Sequence, residues 1–455
     1  MASFSRVFQD AKRIVSAWQD IGKIENVTIV RDVKGRISVY LEPVPRQNID
    51  SSALSVLSSS LTASLGVFFS GMIYVASTEE WTKDLFRKIE QLRVAENNPS
   101  APHWFKIERG IAKKAWIQRD QTATSAWNYD DAQQTQPDHQ PGIITFYSYK
   151  GGMGRTTDLV AVALELIHQH KNVLMIDTDL EAPGLSTFFF PASDREQIQK
   201  GTVDYLLEKS IAPNARMNMA DYILTLSSPN YREDSAGALY LVCGGRLDED
   251  FLPKLARIDS QELVEGKLKS NLEQLLKDCR DALKDSGGID YILIDSRAGF
   301  HDMAGIVTAQ LPHGVVLFGK DSFQSWFGIR QAVQTIALSQ KDTPLVMLID
   351  SGCGKDGIVS DKEKEDFRAQ SYNIFSDCYY SGGPLPSMQA EDEAHSPVFV
   401  PYVSVLSGDI PLYDANKAAE LKEKLSATPY KNIARRLMGW FGETFKREGG
   451  IHSRE

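Results

Sequence analysis

Three short stretches of the 455-residue chain carry glycines, hydroxyls and carboxylates at spacings suited to phosphate chemistry. The first, 142–157, reads G-I-I-T-F-Y-S-Y-K-G-G-M-G-R-T-T, an apolar run that enters a glycine-rich loop and leaves it on two threonines. Gly151, Gly152 and Gly154 let the backbone curl with its N–H groups inward, which makes a cradle for phosphate oxygens. A helix starting near Arg155 brings its positive dipole end to the same point. Thr156 stands where a P-loop places a hydroxyl on Mg²⁺. The second stretch, 172–179, reads N-V-L-M-I-D-T-D, and the third, 290–299, reads D-Y-I-L-I-D-S-R-A-G. Each is an apolar strand pattern that ends in a carboxylate. A glycine loop alone is weak evidence, and a single strand-end aspartate is more often a cap than a ligand. Three such motifs in one chain weigh against both bland readings, because a doubly wound sheet gathers ligands at the carboxyl ends of its strands.

The loop departs from the general pattern G-x-x-x-x-G-K-[ST]. Tyr149 and Arg155 occupy its first glycine and its lysine, and Lys150 opens the loop. This resembles the deviant Walker A loop of the ParA/MinD ATPases, K-G-G-x-x-K-[ST], in a form where arginine replaces the second lysine. The resemblance covers residues 142–430 and implies a mostly parallel, doubly wound P-loop α/β sheet. It further implies that Lys150 reaches across a dimer interface to the partner's nucleotide. Asp295 would hold Mg²⁺ through water, Asp179 would position the attacking water with Asp177 behind it, and the Gly299 N–H would sense the γ-phosphate. The implied catalytic set is Lys150, Asp179 and Arg155, and the implied metal set is Thr156, Asp295 and Asp179. Nucleotide contacts are expected from Lys150, Gly151, Gly152, Met153, Gly154, Arg155, Thr156, Thr157, Gly299, Asp350 and Pro401. The last two come from the family's base-binding end. Residues 398–406, V-F-V-P-Y-V-S-V-L, look like its late strand-plus-proline segment. Where the family often has asparagine on the preceding strand, this chain has Asp350, which accepts hydrogen bonds but does not donate them when ionised. ATP with Mg²⁺ is the expected pair, and GTP is the alternative.

Strand and helix patterns alternate after Asp295, through 313–320, 322–339 and 344–351, as a parallel sheet requires. Residues 1–118 read as a separate, smaller α+β domain. Phe4, Val7, Phe8, Ala11, Ile14, Val15 and Trp18 have helical spacing. Two strand patterns joined through Lys34-Gly35 read as a hairpin, and a second amphipathic helix is expected near 79–93. The uncharged stretch 53–76 is long enough to span a bilayer, but its serines and glycines favour a helix over 51–62 followed by a strand over 66–76. Residues 119–141 are polar and poor in aliphatics, as linkers are. An insertion, 351–396, carries the charge run D-K-E-K-E-D (361–366), expected to be a solvated helix face. At 431–447, Ile433, Leu437, Trp440, Phe441 and Phe445 share a helical face beside Arg435, Arg436, Lys446 and Arg447. Such a basic amphipathic helix either packs on the sheet, the favoured reading, or makes peripheral contact with an anionic membrane.

The hydrophobic share of 42% and charged share of 24% are those of an ordinary globular protein. A net charge of −10 argues against nucleic acid as a partner of the whole surface. Cys243, Cys279, Cys353 and Cys378 are far apart without a C-x-x-C pair, a reduced, cytoplasmic pattern that provides no metal framework. No secretory leader pattern opens the chain. The expected function is a Mg²⁺-dependent ATP-binding and hydrolysing switch that forms a nucleotide-dependent homodimer and controls a protein partner through residues 1–118 or 351–396. The rival reading is a non-hydrolysing nucleotide-sensing scaffold of a bacterial signalling or defence system. A bacterial tyrosine kinase is disfavoured, because the tail G-G-I-H-S-R-E has no tyrosine.

Overall fold

Alternation along the first strands sets the architecture of the amino-terminal part. In the computed structural model, which describes residues 3–96, 102–110, 112–117, 140–195, 198–265, 267–338, 343–354, 358–380 and 384–443, the chain divides into two units, Met1–Thr122 and Ala123–Glu455. Strands β1 (Ile24–Arg31) and β2 (Ile37–Pro43) form an antiparallel pair. Their turn is closed by the Asp32 carboxylate, which accepts from the N–H groups of Lys34 and Arg36 at 2.9 and 2.8 Å, with Gly35 at φ +85°. Strands β3 (Phe69–Val75), β4 (Val94–Ala95) and β5 (His103–Glu108) complete a sheet of order β3-β2-β1-β5-β4.

Val27, Ile29, Val39, Leu41 and Trp104 face one side of this sheet, where Val7, Ala11 and Val15 of helix Val7–Ser16 join them with Ala53, Leu57, Leu61 and Leu65 of helix Ser51–Leu65. Val30, Tyr40 and Ile107 face the other side and meet Ile89 of helix Glu80–Leu92. Period 2 on the strands and an i, i+4 stripe on the helix are the simplest way to bury both faces. The uncharged stretch is thereby accounted for. Ser51–Phe68 is apolar and long enough for a membrane span, yet the helix ends at Gly66 (φ +54°), its apolar stripe is packed, and its exposed face is largely serine and threonine.

The second unit is built on an eight-stranded sheet of order β13-β12-β11-β6-β10-β7-β9-β8. Its strands are β6 (Gly142–Ser148), β7 (Val173–Asp177), β8 (Ile223–Thr225), β9 (Leu239–Val242), β10 (Tyr291–Asp295), β11 (Gly314–Gly319), β12 (Leu345–Cys353) and β13 (Val398–Pro401). All pair in parallel except the edge strand β8. Every residue of β6, β7, β10 and β11 is buried, because helices cover both faces. The fold class is thus the expected mostly parallel α/β sheet.

The carboxy-terminal helix runs Thr428–Trp440 and belongs to this core. Tyr430, Ile433, Ala434, Leu437 and Met438 pack in the same cluster as Val160, Leu164 and Ile167 of helix Arg155–His168. Trp440 and Phe441 lie over the first residues of β11 and β6, so close that a Cβ on Gly314 would fall 2.4 Å from the indole and one on Gly142 2.8 Å from the phenyl ring. Its basic residues are occupied as well: Arg435 pairs with Asp392, and buried Arg436 donates to the carbonyls of Ser396 and Glu393 at 2.8 Å each. The apolar face is therefore spent on the core, as the favoured reading has it, and a domain limit at 430/431 would cut a continuous helix. Phe445, Lys446, Arg447 and nearly all of 119–141 lie outside the described residues. The charge run 361–366 forms the solvent-facing first turns of helix Asp361–Cys378.

Candidate functional site

β6 lies at the topological switch of the sheet, between β10 on one side and β11 on the other, and its carboxyl end carries the glycine loop. Gly152 and Gly154 have φ of +70° and +73°, a left-handed backbone that favours glycine. A Cβ at Gly151 or Gly152 would meet nothing within 4 Å, so the inner side of the loop is open. Gly154 caps helix Arg155–His168 without a side-chain bond, which leaves the first-turn N–H groups available. Buried Met153 holds the loop from behind, its carbonyl accepting from the hydroxyl of Ser351 on β12. Lys150 is exposed and Thr157 is half-buried.

Asp295 and Asp177 end neighbouring strands and stand in register. Both Asp295 oxygens are occupied: Oδ1 accepts from Arg155 Nε and Oδ2 from Thr156 Oγ1, each at 2.7 Å. Arg155 Nη2 donates to Asp179 Oδ2 at 2.7 Å, and Nη1 lies 3.3 Å from Ser148 Oγ. Burial works against the Arg155 charge, but the carboxylates of Asp295 and Asp179 outweigh it and hold the guanidinium protonated above its ordinary range. The arginine expected on phosphate is thus committed to the two carboxylates expected on metal and water.

Asp177 accepts from the N–H groups of Asp179, Gly184 and Leu185 at 3.1, 3.0 and 3.1 Å, which fixes the loop that presents Asp179. Burial and then the Asp295 charge push Asp177 well above the usual carboxylate range; burial likewise raises Asp179, with Arg155 offsetting part. The Gly299 N–H, at φ +79°, donates to Ser148 O at 3.2 Å. Pro401 ends β13, and Asp350 lies on the neighbouring β12, three residues before its end at Cys353.

Two features escape sequence reading. The Ser351 prop behind Met153 has no signal beyond its place after Asp350. Asp158, one turn into the helix, is buried with Oδ2 unpartnered, and burial pushes its carboxyl well up. Its position among helix-face residues carries no hint of either.

Residues 142–230 match the family described as AAA domain. Solved structures similar to the chain include a ParA from pNOB8 bound to nonspecific DNA, at 16% identity over 66% of this chain and 99% of that one, TM-score 0.43. An McdA–ATP complex from Cyanothece gives 14% identity over 68% and 100%, TM-score 0.42. MinD with Mg-ADP from Pyrococcus horikoshii gives 18% over 65% and 96%, TM-score 0.38. No curated protein matches the sequence. The family match falls on the part of the second unit's sheet that carries the glycine loop.

The Asp350 carboxylate on β12 has a titration consequence. Burial, reinforced by Asp321 and eased by Lys320, pushes Asp350 up to about 7 from 3.8. Below the lower value both folded and unfolded chains keep the proton. Between the two values only the unfolded chain releases it, so stability falls as pH rises through that window and levels off above it. Asp350→Asn is expected to remove this slope and to gain most over wild type above about pH 7. Melting temperature against pH for both proteins checks it, and parallel profiles would refute the assignment.

Proposed function

We propose that the P-loop domain is a Mg²⁺-dependent ATP-binding and hydrolysing switch that closes into a dimer around nucleotide and controls a partner protein. The observation that carries the reading is the meeting of the Thr156 hydroxyl and the Asp295 carboxylate at 2.7 Å beside an open, left-handed glycine loop. Hard oxygen donors of this kind suit Mg²⁺, which takes one or two carboxylates and fills the rest of its shell with phosphate and water. Asp179 and Asp295 also share a single buried guanidinium, and Asp177 lies close enough for the Asp295 charge to raise it. That balance leaves room for added positive charge.

The loop N–H groups and the start of helix Arg155–His168 would hold phosphate oxygens, with Thr156 and Asp295 holding the metal, which when bound neutralises phosphate charge. Asp179 would orient the attacking water. Positioning and electrostatics are most of what phosphoryl transfer asks of a protein. Exposed Lys150 is free to extend toward a facing subunit. Gly299 would exchange its bond to Ser148 O for a phosphate contact, the kind of segment change on which nucleotide switches depend. Residues 1–118 or 351–396 are the surfaces proposed for the partner. A non-hydrolysing sensor remains the second reading, favoured by the pairing of Arg155 with Asp179 and Asp295.

The deciding experiment is ATP and GTP turnover by the purified chain, with its mass in solution followed with and without a slowly hydrolysed analogue. Lys150→Ala is expected to keep most nucleotide affinity while losing dimerisation and hydrolysis together, because a cation supplied across the interface serves both. A wild-type chain that turns over ATP as a monomer would end the cross-subunit role of Lys150. Nucleotide binding without turnover would establish the sensor.

A further inference from the structure

We propose that Arg155 acts as an internal stand-in for the metal: without nucleotide its guanidinium occupies the carboxylates a divalent cation needs, so the cation enters only after phosphate draws the guanidinium away. The inference rests on the nucleotide-site reading above and adds an order of binding to it. It starts from a count of lone pairs. Asp295 Oδ1 is taken by Arg155 Nε and Oδ2 by Thr156 Oγ1. Asp179 Oδ2 is taken by Arg155 Nη2. All three side chains assigned to the metal are thus tied into one network by Arg155, the cation that bonds both carboxylates.

The inner part of the network is also closed to bulk water, with Asp179 half-buried at its rim. Arg155 is 8% exposed and Asp295 1%. A divalent ion placed beside Asp295 would meet a fixed positive charge at hydrogen-bond distance from the same oxygens. In so dry a setting like-charge repulsion is poorly screened. Metal and guanidinium therefore compete for the carboxylates.

Phosphate resolves the competition because of where Arg155 sits. It is the first residue of the helix and follows Gly154 of the open loop, so an anion in the loop is within the reach of its side chain. A guanidinium binds phosphate oxygens as a planar fork. Its remaining bond, to Ser148 at 3.3 Å, is long and offers little resistance. Once the guanidinium turns to phosphate, buried Asp295 keeps the Thr156 hydroxyl but neither it nor half-buried Asp179 keeps its cation, which is the state that recruits another. A lysine at 155 would hold the network less firmly, since its ammonium presents all its donors from one atom and cannot bridge two carboxylates through separate nitrogens.

The test uses Mn²⁺ as the probe, followed by its electron paramagnetic resonance and by melting temperature, on the full chain as wild type, Arg155→Ala and Arg155→Lys. Wild type alone is expected to bind Mn²⁺ at least about tenfold more weakly than with inorganic tripolyphosphate present. Arg155→Ala without any phosphate is expected to bind Mn²⁺ at least about tenfold more tightly than wild type, and Mn²⁺ alone should raise its melting temperature. Arg155→Lys, which keeps a charge and so guards against a misfolded alanine variant, should fall between them. Equal Mn²⁺ affinity of wild type and both variants without phosphate overturns the proposal while leaving the phosphate site intact. Failure of tripolyphosphate to bind wild type in calorimetry overturns the nucleotide site as well.

Discussion

Asp295→Ala is expected to abolish measurable turnover and to destabilise the P-loop domain. The carboxylate ends β10 in full burial and accepts from both Arg155 and Thr156. Its removal leaves a buried guanidinium with Asp179 as its remaining carboxylate partner, and breaking a buried pair from one side costs about 3–5 kcal/mol. Some of this returns, because the Asp295 charge raises the carboxyls of Asp177 and Asp179 and its loss relieves that repulsion. A net loss near the low end, about 3 kcal/mol, is expected in urea denaturation. Phosphate release should fall by at least about 10²–10³-fold, as when one preorganised electrostatic group is removed from a reacting centre. Wild-type stability in the alanine variant would mean that Arg155 does not depend on this carboxylate.

Gly328→Ala should be nearly as damaging, although Gly328 lies in helix Phe323–Leu338 and not in the loop. A Cβ there would fall 2.1 Å from Cγ of Tyr149 and 2.3 Å from its Cβ. The near end of a side chain cannot swing aside, so the tyrosine and its backbone must shift. Tyr149 is also held by Phe300, with ring centroids 4.9 Å apart, and by Phe327 at 6.1 Å. Overpacking of this kind costs about 1–3 kcal/mol. Because Tyr149 immediately precedes Lys150, nucleotide affinity should drop by about tenfold, equivalent to about 1.4 kcal/mol. Gly439→Ala is the control: it also lies in a helix, but its added Cβ meets nothing within 4 Å, so it should be neutral or slightly stabilising. Calorimetric titration and melting of both variants check the contrast, and equal behaviour would discard the Tyr149 contact as a constraint on the loop.

What the sequence revealed and what it hid have physical causes. β6, β7 and β10 are buried on both faces, so each reads as an unbroken apolar run, and the polar residues that end each run mark the functional edge. Thr156 and Asp295 were legible as partners because type and position suffice for a hydroxyl on a helix start facing a strand end. The orientation of Arg155 was not. Its long side chain reaches either phosphate or carboxylate, and the choice depends on how closely Asp179 and Asp295 converge, which is a tertiary distance. The helix Thr428–Trp440 shows the same limit. An apolar stripe flanked by arginines looks alike on a membrane and on a sheet, and only the fit of Trp440 over Gly314 distinguishes them. The short edge strand β8 and its neighbour β9 went unread because three or four residues carry too little period to stand out.

That last helix also dictates when the fold can be finished. Its apolar face closes over helix Arg155–His168 and over the starts of β6 and β11, partners made more than a hundred residues earlier in synthesis. Until Tyr430 to Phe441 have left the ribosome, the apolar side of the P-loop helix has no cover. Contacts this distant along the chain slow folding and leave sticky surface exposed in the meantime. A nascent chain halted before residue 428 would hold the complete glycine loop and both strand-end carboxylates, yet expose one side of the sheet that carries them. The candidate site is encoded early and its covering helix comes last, so the final stretch of synthesis is when its apolar surface is most open to wrong contacts.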